Sequence, residues 1–125
     1  MSTRRALILS ELGVLPRIGS ELEAMGWEVH EASNQRRAVK AARQLLPDLV
    51  VAEYIFTPDF RDRVSNLDTL CGQMQVHHPD YRLVIVHEQE DEASLVRFRA
   101  NYPVHAALAY PVDRQALLEA IAALD

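Results

Sequence analysis

The chain has 125 residues, which fits one domain of about 150 residues and leaves no room for a second. Hydrophobic residues make up 49% and charged residues 25%, so one core can form without disulfides, and Cys71 is the only cysteine. The net charge of −5, from 13 Lys and Arg against 18 Asp and Glu, disfavours nonspecific binding to nucleic acid.

The first half of the chain predicts two strand–helix pairs. The continuous apolar run Ala6–Leu9 is typical of a strand covered on both faces, and Glu28–Ala32 fits a second strand. Apolar residues at helical spacing follow each strand, and Asn34 is placed to cap the second helix. These apolar positions are Leu15, Ile18, Leu22 and Met25 in the first helix, and Val39, Ala42 and Leu46 in the second.

The second half continues the alternation. Leu49–Ala52, Leu83–Val86 and Val104–Ala109 predict the third, fourth and fifth strands, and Asp113 is placed to cap the last helix. The helical apolar positions are Leu67, Leu70 and Met74, then Leu95, Phe98 and Tyr102, then Leu117, Ile121 and Leu124. Right-handed crossovers between five such units predict an α/β fold, a flavodoxin-like (βα)5 doubly wound parallel sheet with strand order 2-1-3-4-5.

Candidate functional residues follow the ends of the predicted strands, where ligands bind in sheets of this kind. Ser10 and Glu11 follow the first strand, Glu53 the third, His87 the fourth and Tyr110 the fifth. A partly buried carboxylate is costly without hydrogen-bond donors, and the nearest donors to Glu53 by topology are His87 and Tyr110. We therefore expect a polar cluster of Glu53, His87 and Tyr110.

Five segments resemble the receiver domain of two-component response regulators, and together they cover nearly the whole chain: ALILSE, GWEVHEASNQRRA, LLPDLVVAE, RLVIVHE and AALAYP. The resemblance implies a domain that phosphorylates its own Asp after the third strand. It also implies Mg²⁺ held by that Asp and by two acids after the first strand, with a Thr or Ser and a Lys on the phosphoryl oxygens. An aromatic residue on the fifth strand then acts as a switch.

This sequence matches the receiver pattern at none of those positions, except that Glu11 and Glu53 keep an acid. The corresponding residues are Ser10 and Glu11 for the acid pair, Glu53 for the phosphoacceptor, His87 for the hydroxyl residue, Ala107 for the switch aromatic and Tyr110 for the lysine. Phosphoryl transfer depends on cations that neutralise the transferred oxygens, and no lysine follows Lys40. Efficient autophosphorylation is therefore not expected. Glu53 as a permanent stand-in for phospho-aspartate is an alternative.

Two groups of apolar residues are predicted to contact a protein partner. The connection after Glu53 is long and apolar, and its contact residues are Tyr54, Phe56 and Phe60. The resemblance implies a second contact face for dimerisation or output, formed by the fourth helix, fifth strand and fifth helix. Leu95, Phe98 and Tyr102 border that face, together with Ala116 and Leu117.

A basic helix face, an acidic run and the lone cysteine each have a structural interpretation. Four basic residues share one face of the second helix: Arg36, Arg37, Lys40 and Arg43. This face is either the solvent side of an amphipathic helix or a docking surface for an acidic partner. The acidic run 88–92 opens the fourth helix, where negative charge is favourable, and a partner-binding patch is the alternative. Cys71 lies on the apolar face of the third helix and is predicted to be core.

The predicted function is a phosphorylation-independent pseudo-receiver, a protein-interaction module of bacterial two-component signalling and phosphorelay, and not an enzyme. It is expected to form one receiver-like domain over residues 1–125. Whether this domain is the amino-terminal part of a longer regulator is left open. No cofactor and no metal are expected. The partner is expected to be a kinase, regulator or output domain, with a homodimer as an alternative, and neither nucleic acid nor membrane.

The sequence leaves two alternative functions open and favours one cellular location. In the first alternative, the site keeps slow phosphorylation or metal binding. Its ligands are then Glu11, Glu53 and one aspartate of the loop, either Asp59 or Asp62. In the other, a small-ligand or enzymatic site uses His87 as a base that Glu53 orients. The longest apolar runs fall far short of the roughly 20 residues that span a bilayer, and no signal peptide is recognisable, so a cytoplasmic location is expected.

Overall fold

A computed structural model of the chain describes residues 4–58 and 63–124. The elements in chain order are β1 (Arg4–Leu9), α1 (Gly19–Ala24), β2 (Trp27–Ala32), α2 (Gln35–Leu45), β3 (Leu49–Tyr54), β4 (Phe56–Pro58), β5 (Arg63–Ser65), α3 (Asp68–His77), β6 (Arg82–His87), a 3₁₀ turn (Gln89–Asp91), α4 (Glu92–Asn101), β7 (Ala106–Ala109) and α5 (Arg114–Ala122). Five parallel strands lie in the order β2-β1-β3-β6-β7, which confirms the predicted 2-1-3-4-5 winding, and β4 and β5 form a separate antiparallel pair.

Two apolar clusters cover the two faces of the sheet. Successive strand residues alternate between them, so Val50 and Ala52 pack under α2, α3 and α4, whereas Leu49 and Val51 pack under α1 and α5. The strands read as continuous apolar runs because both of their faces are covered.

Both helix caps predicted from the sequence are confirmed. The Asn34 side chain accepts a hydrogen bond from the Arg37 N–H at 2.8 Å, and the Asp113 side chain accepts one from the Ala116 N–H at 2.7 Å. Each cap satisfies an N–H group that the first turn of a helix leaves without an intrahelical partner.

The first helix is shorter than its apolar spacing predicts. It begins at Gly19, so Leu15 and Ile18 precede it, although both side chains are buried. Pro16 disfavours a helical conformation at the residue before it. The N–H groups ahead of Pro16 are also bound to another element, as described below, and the chain therefore enters the helix late.

The connection after β3 contains a short hairpin that the sequence did not predict. Strand β4 pairs with β5 in the register Phe56 to Ser65. Phe60, Asp59 and Asp62 lie outside the described residues, and so does the side chain of Phe56. None of the helices in the described ranges is long and apolar enough to cross a bilayer.

Cys71 on α3 is fully buried in the apolar cluster that α2, α3 and α4 share, which confirms its place in the core. Burial raises the pKa of its thiol to about 12, so the thiolate is scarce at neutral pH. We expect the folded protein to react with a thiol reagent at pH 8 far more slowly than the urea-unfolded chain does. Equal rates for the folded and unfolded chains would show that Cys71 is accessible.

Candidate functional site

Glu53 lies at the carboxyl end of β3 and is buried, with 1% of its surface exposed. Side chains on a strand alternate between its faces, so Glu53 projects on the same side as Val51, toward α1 and α5. The segment between β1 and α1 passes over this position. Glu53 therefore faces the backbone of that segment.

The Glu53 carboxylate accepts hydrogen bonds from one hydroxyl and four backbone N–H groups of residues 10–15. Its Oε1 receives the N–H of Glu11 at 2.5 Å and of Leu12 at 2.6 Å. Its Oε2 receives Ser10 Oγ at 3.0 Å, Val14 N–H at 2.7 Å and Leu15 N–H at 3.3 Å. We call these five donors the Glu53 cradle.

The cradle has the geometry of an anion site. Successive backbone N–H groups that converge on one point form a concavity with positive partial charge, which binds carboxylate or phosphate oxygens. Gly13 allows the necessary turn, because its φ of 74° lies in the left-handed region that glycine adopts without strain. The occupant of this site is a side chain of the protein itself.

The Mg²⁺ ion that receiver domains use does not fit these residues. Mg²⁺ needs several oxygen ligands in octahedral geometry, whereas the Glu53 oxygens already accept five donors and are surrounded by N–H groups. Ser10 supplies a hydroxyl donor where the family has an acid. Glu11 offers one buried carboxylate oxygen without a hydrogen-bond partner, which is a single ligand. Within residues 4–58 and 63–124, no group of three His, Cys, Asp or Glu is placed to hold a metal.

The predicted cluster of Glu53, His87 and Tyr110 is wrong. In the register of β3 and β6, His87 lies opposite Tyr54, and Glu53 lies opposite Val86, so His87 and Glu53 project to different faces of the sheet. The His87 ring instead lies with Nδ1 2.9 Å from the Glu88 carbonyl oxygen.

Tyr110 takes no part in the Glu53 site either. Its backbone N–H donates to the His87 carbonyl at 2.7 Å, while its side chain is 39% exposed and has no hydrogen bond to Glu53. Ala107, at the switch position, packs against the cluster under α2, α3 and α4. The enzymatic alternative, with His87 as a base oriented by Glu53, therefore lacks the contact it requires.

Several residues predicted to contact a partner belong to the core instead. Tyr54, Leu95 and Phe98 are all buried, and so is Leu117 on α5. The Tyr54 and Phe98 rings meet edge to face with centroids 5.3 Å apart, and the Tyr54 hydroxyl donates to Ser94 Oγ at 3.1 Å. These aromatic rings fill the space between β3 and α4. The half-buried Tyr102 ring lies beside the Phe98 ring, tilted by 46° with centroids 5.1 Å apart.

Comparison with known proteins identifies the fold. No protein-family model matches the sequence, and no curated protein matches it. Among solved structures, a CheY-like receiver domain protein from Methanospirillum hungatei is 22% identical, with a TM-score of 0.73 over 98% of this chain and 94% of that one.

Two further structures give similar values. The non-phosphorylated HemR receiver domain from Leptospira biflexa is 18% identical, with a TM-score of 0.74 over 97% of this chain and 93% of that one. The response regulator TrrA from Thermotoga maritima, solved in complex with Mg²⁺-BeF, is 18% identical, with a TM-score of 0.69 over 98% and 99%. The chain therefore has the α/β fold of response regulator receiver domains.

Proposed function

We propose that this chain is a pseudo-receiver, a protein-interaction module of two-component signalling that works without phosphorylation. The observation that carries the proposal is the Glu53 cradle. The position that accepts a phosphoryl group in receivers holds a carboxylate whose two oxygens are bound by five donors. We propose a binding role rather than an enzymatic one.

The cradle opposes phosphorylation in two ways. A carboxylate attacks phosphorus through an oxygen lone pair, and hydrogen bonds to the ionised form stabilise the ground state and make it a weaker nucleophile. The transferred oxygens would also need cationic partners, whereas Tyr110 and His87 stand at the positions that supply the lysine and the hydroxyl. Neither side chain is hydrogen-bonded to the Glu53 carboxylate.

The same geometry argues against Glu53 as a stand-in for phospho-aspartate. In receivers, the groups that respond to the added charge are the hydroxyl residue after the fourth strand and the aromatic residue on the fifth strand. Here His87 projects to the other face of the sheet, and Ala107 is too small to act as a switch. The charge of Glu53 instead fixes the segment between β1 and α1.

The fixed segment supplies a surface for recognition. Leu12 donates its N–H to Glu53 at 2.6 Å, yet its side chain is 64% exposed. A rigid backbone that presents an exposed apolar side chain loses little entropy when it binds. We propose that Leu12 contacts the partner, which would be a kinase, regulator or output domain in the cytoplasm.

A phosphorylation assay tests the proposal. The chain is incubated with acetyl phosphate and Mg²⁺, and its intact mass is measured, with a receiver domain that keeps the Asp, acid pair and Lys as a positive control. We expect the control to gain a phosphoryl group and this chain to gain none. A Mg²⁺-dependent mass gain located at Glu53 would refute the proposal.

A further inference from the structure

The layer formed by α2, α3 and α4 lies on the opposite side of the sheet from the Glu53 cradle. Helix α2 connects β2 to β3, α3 connects β3 to β6, and α4 connects β6 to β7, so α3 lies between the other two. All three pack on one apolar cluster. Their outer surfaces together form one face of the molecule.

The α2 side of this face is basic. The helix contains no acidic residue, and its four cationic side chains are exposed. None of the four has an acidic partner within ion-pair distance among the described residues. They are Arg36, Arg37, Lys40 and Arg43.

The centre of the face is nearly uncharged. Between Asp68 at its start and His77 at its end, α3 has no ionisable residue except the buried Cys71. Its outer surface includes Thr69 and Val76, and the Val76 side chain is 75% exposed.

The segment that leads from β6 into the first residue of α4 forms the acidic side of the face. Glu88, Glu90 and Glu92 are exposed, and none is ion-paired in the described part of the chain. Val96 follows Glu92 by about one turn and is 70% exposed. The acidic group and the first turn of α2 both lie at the carboxyl edge of the sheet, because each follows the end of a strand.

We propose that this face binds a second copy of the chain. Across the layer the charge runs from positive through neutral to negative. A two-fold axis parallel to the helices and passing over α3 places the basic side of each copy on the acidic side of the other. Arg36, with Lys40 about one turn further along α2, then faces the acidic group of the other copy, and the two α3 surfaces meet at Val76. The proposal does not depend on the function of the Glu53 site.

Two electrostatic repulsions between the copies weaken this dimer. Each copy carries a net charge of −5, so the copies repel each other at long range. Arg97 and Arg99, in the second half of α4, approach the basic carboxyl end of α2 of the other copy. We therefore expect a weak dimer whose attraction falls with salt, since the Debye length shortens from about 10 Å at 0.1 M to about 3 Å at 1 M.

Sedimentation velocity of the full chain at about 100 µM tests the proposal across a salt series from about 50 mM to 500 mM. We expect a dimer at low salt that dissociates as salt rises. The reversal R36E/K40E and the reversal E88R/E92R should each weaken the dimer at least tenfold. An equimolar mixture of the two variants should associate again, because their reversed faces are complementary.

A matched variant controls for net charge. The reversal R17E/R114E changes the charge by the same amount as R36E/K40E, but at exposed residues outside the α2–α3–α4 layer. Arg114 lies 3.4 Å from Glu21, and breaking such an exposed ion pair costs about 0–1 kcal/mol. It should leave the dimer within about twofold of wild type. A wild-type chain that stays monomeric at low salt would overturn the proposal. Equal weakening by the control and by R36E/K40E, or a mixture that does not associate, would overturn it as well.

Discussion

Replacing Glu53 with alanine should lower the free energy of unfolding by about 3–5 kcal/mol. The substitution leaves five donors without their shared acceptor and opens a cavity under residues 10–15. A hydrogen bond to a charged group contributes about 1.5–3 kcal/mol, but water can reach part of this segment, so the five contributions do not add in full. Urea denaturation followed by circular dichroism measures the change.

Two further variants show whether the loss comes from the cradle. Glu23 is an exposed glutamate with no hydrogen bond from its side chain among the described residues, and Glu23→Ala should change stability by less than about 0.5 kcal/mol. Glu53→Gln keeps the size but loses the charge, and its NH₂ group cannot accept the donors on that side. It should therefore also destabilise. A loss of less than about 1 kcal/mol in E53A would mean that the cradle contributes little.

Acetate should restore part of the stability that Glu53→Ala loses. The substitution leaves a vacant anion site, and acetate supplies the missing carboxylate. Binding to the folded state alone adds about 1.4 kcal/mol when acetate is about tenfold above its dissociation constant.

The comparison is made against sodium chloride at the same ionic strength, with urea denaturation as the measurement. Wild type and E53Q should not respond to acetate, because a side chain fills their cradles. An equal gain in E53A and E53Q would show a general salt effect and remove the evidence for an anion site.

The sequence predicted the layers of the fold well because apolar patterning and capping are local properties. Leu49–Ala52 is apolar at every position, as a strand covered on both faces requires, and Asn34 and Asp113 cap their helices as expected. The predicted start of α1 was wrong. The spacing of Leu15 and Ile18 fits a helix, but both residues are buried from a non-helical segment that precedes Gly19.

The prediction that His87 and Tyr110 bind Glu53 is wrong because it rests on side-chain chemistry, whereas strand geometry decides which face of the sheet Glu53 takes. Alternation along β3 already places Glu53 on the side of α1, and Gly13 with Pro16 marks a break in the helical pattern nearby. These features could have indicated the segment 10–15. The donors themselves are mostly backbone N–H groups, which every residue except proline carries, and no residue type identifies them.

Amide hydrogen exchange at Leu12 and Val14 measures the cradle most directly. Both residues lie in a connecting segment, where amides normally exchange quickly, and the Leu12 side chain is 64% exposed. If Glu53 holds their N–H groups, both amides exchange slowly in wild type and at least tenfold faster in E53A, which removes both acceptor oxygens. Fast exchange at both amides in wild type would contradict the claim that the Glu53 carboxylate is bound by residues 10–15.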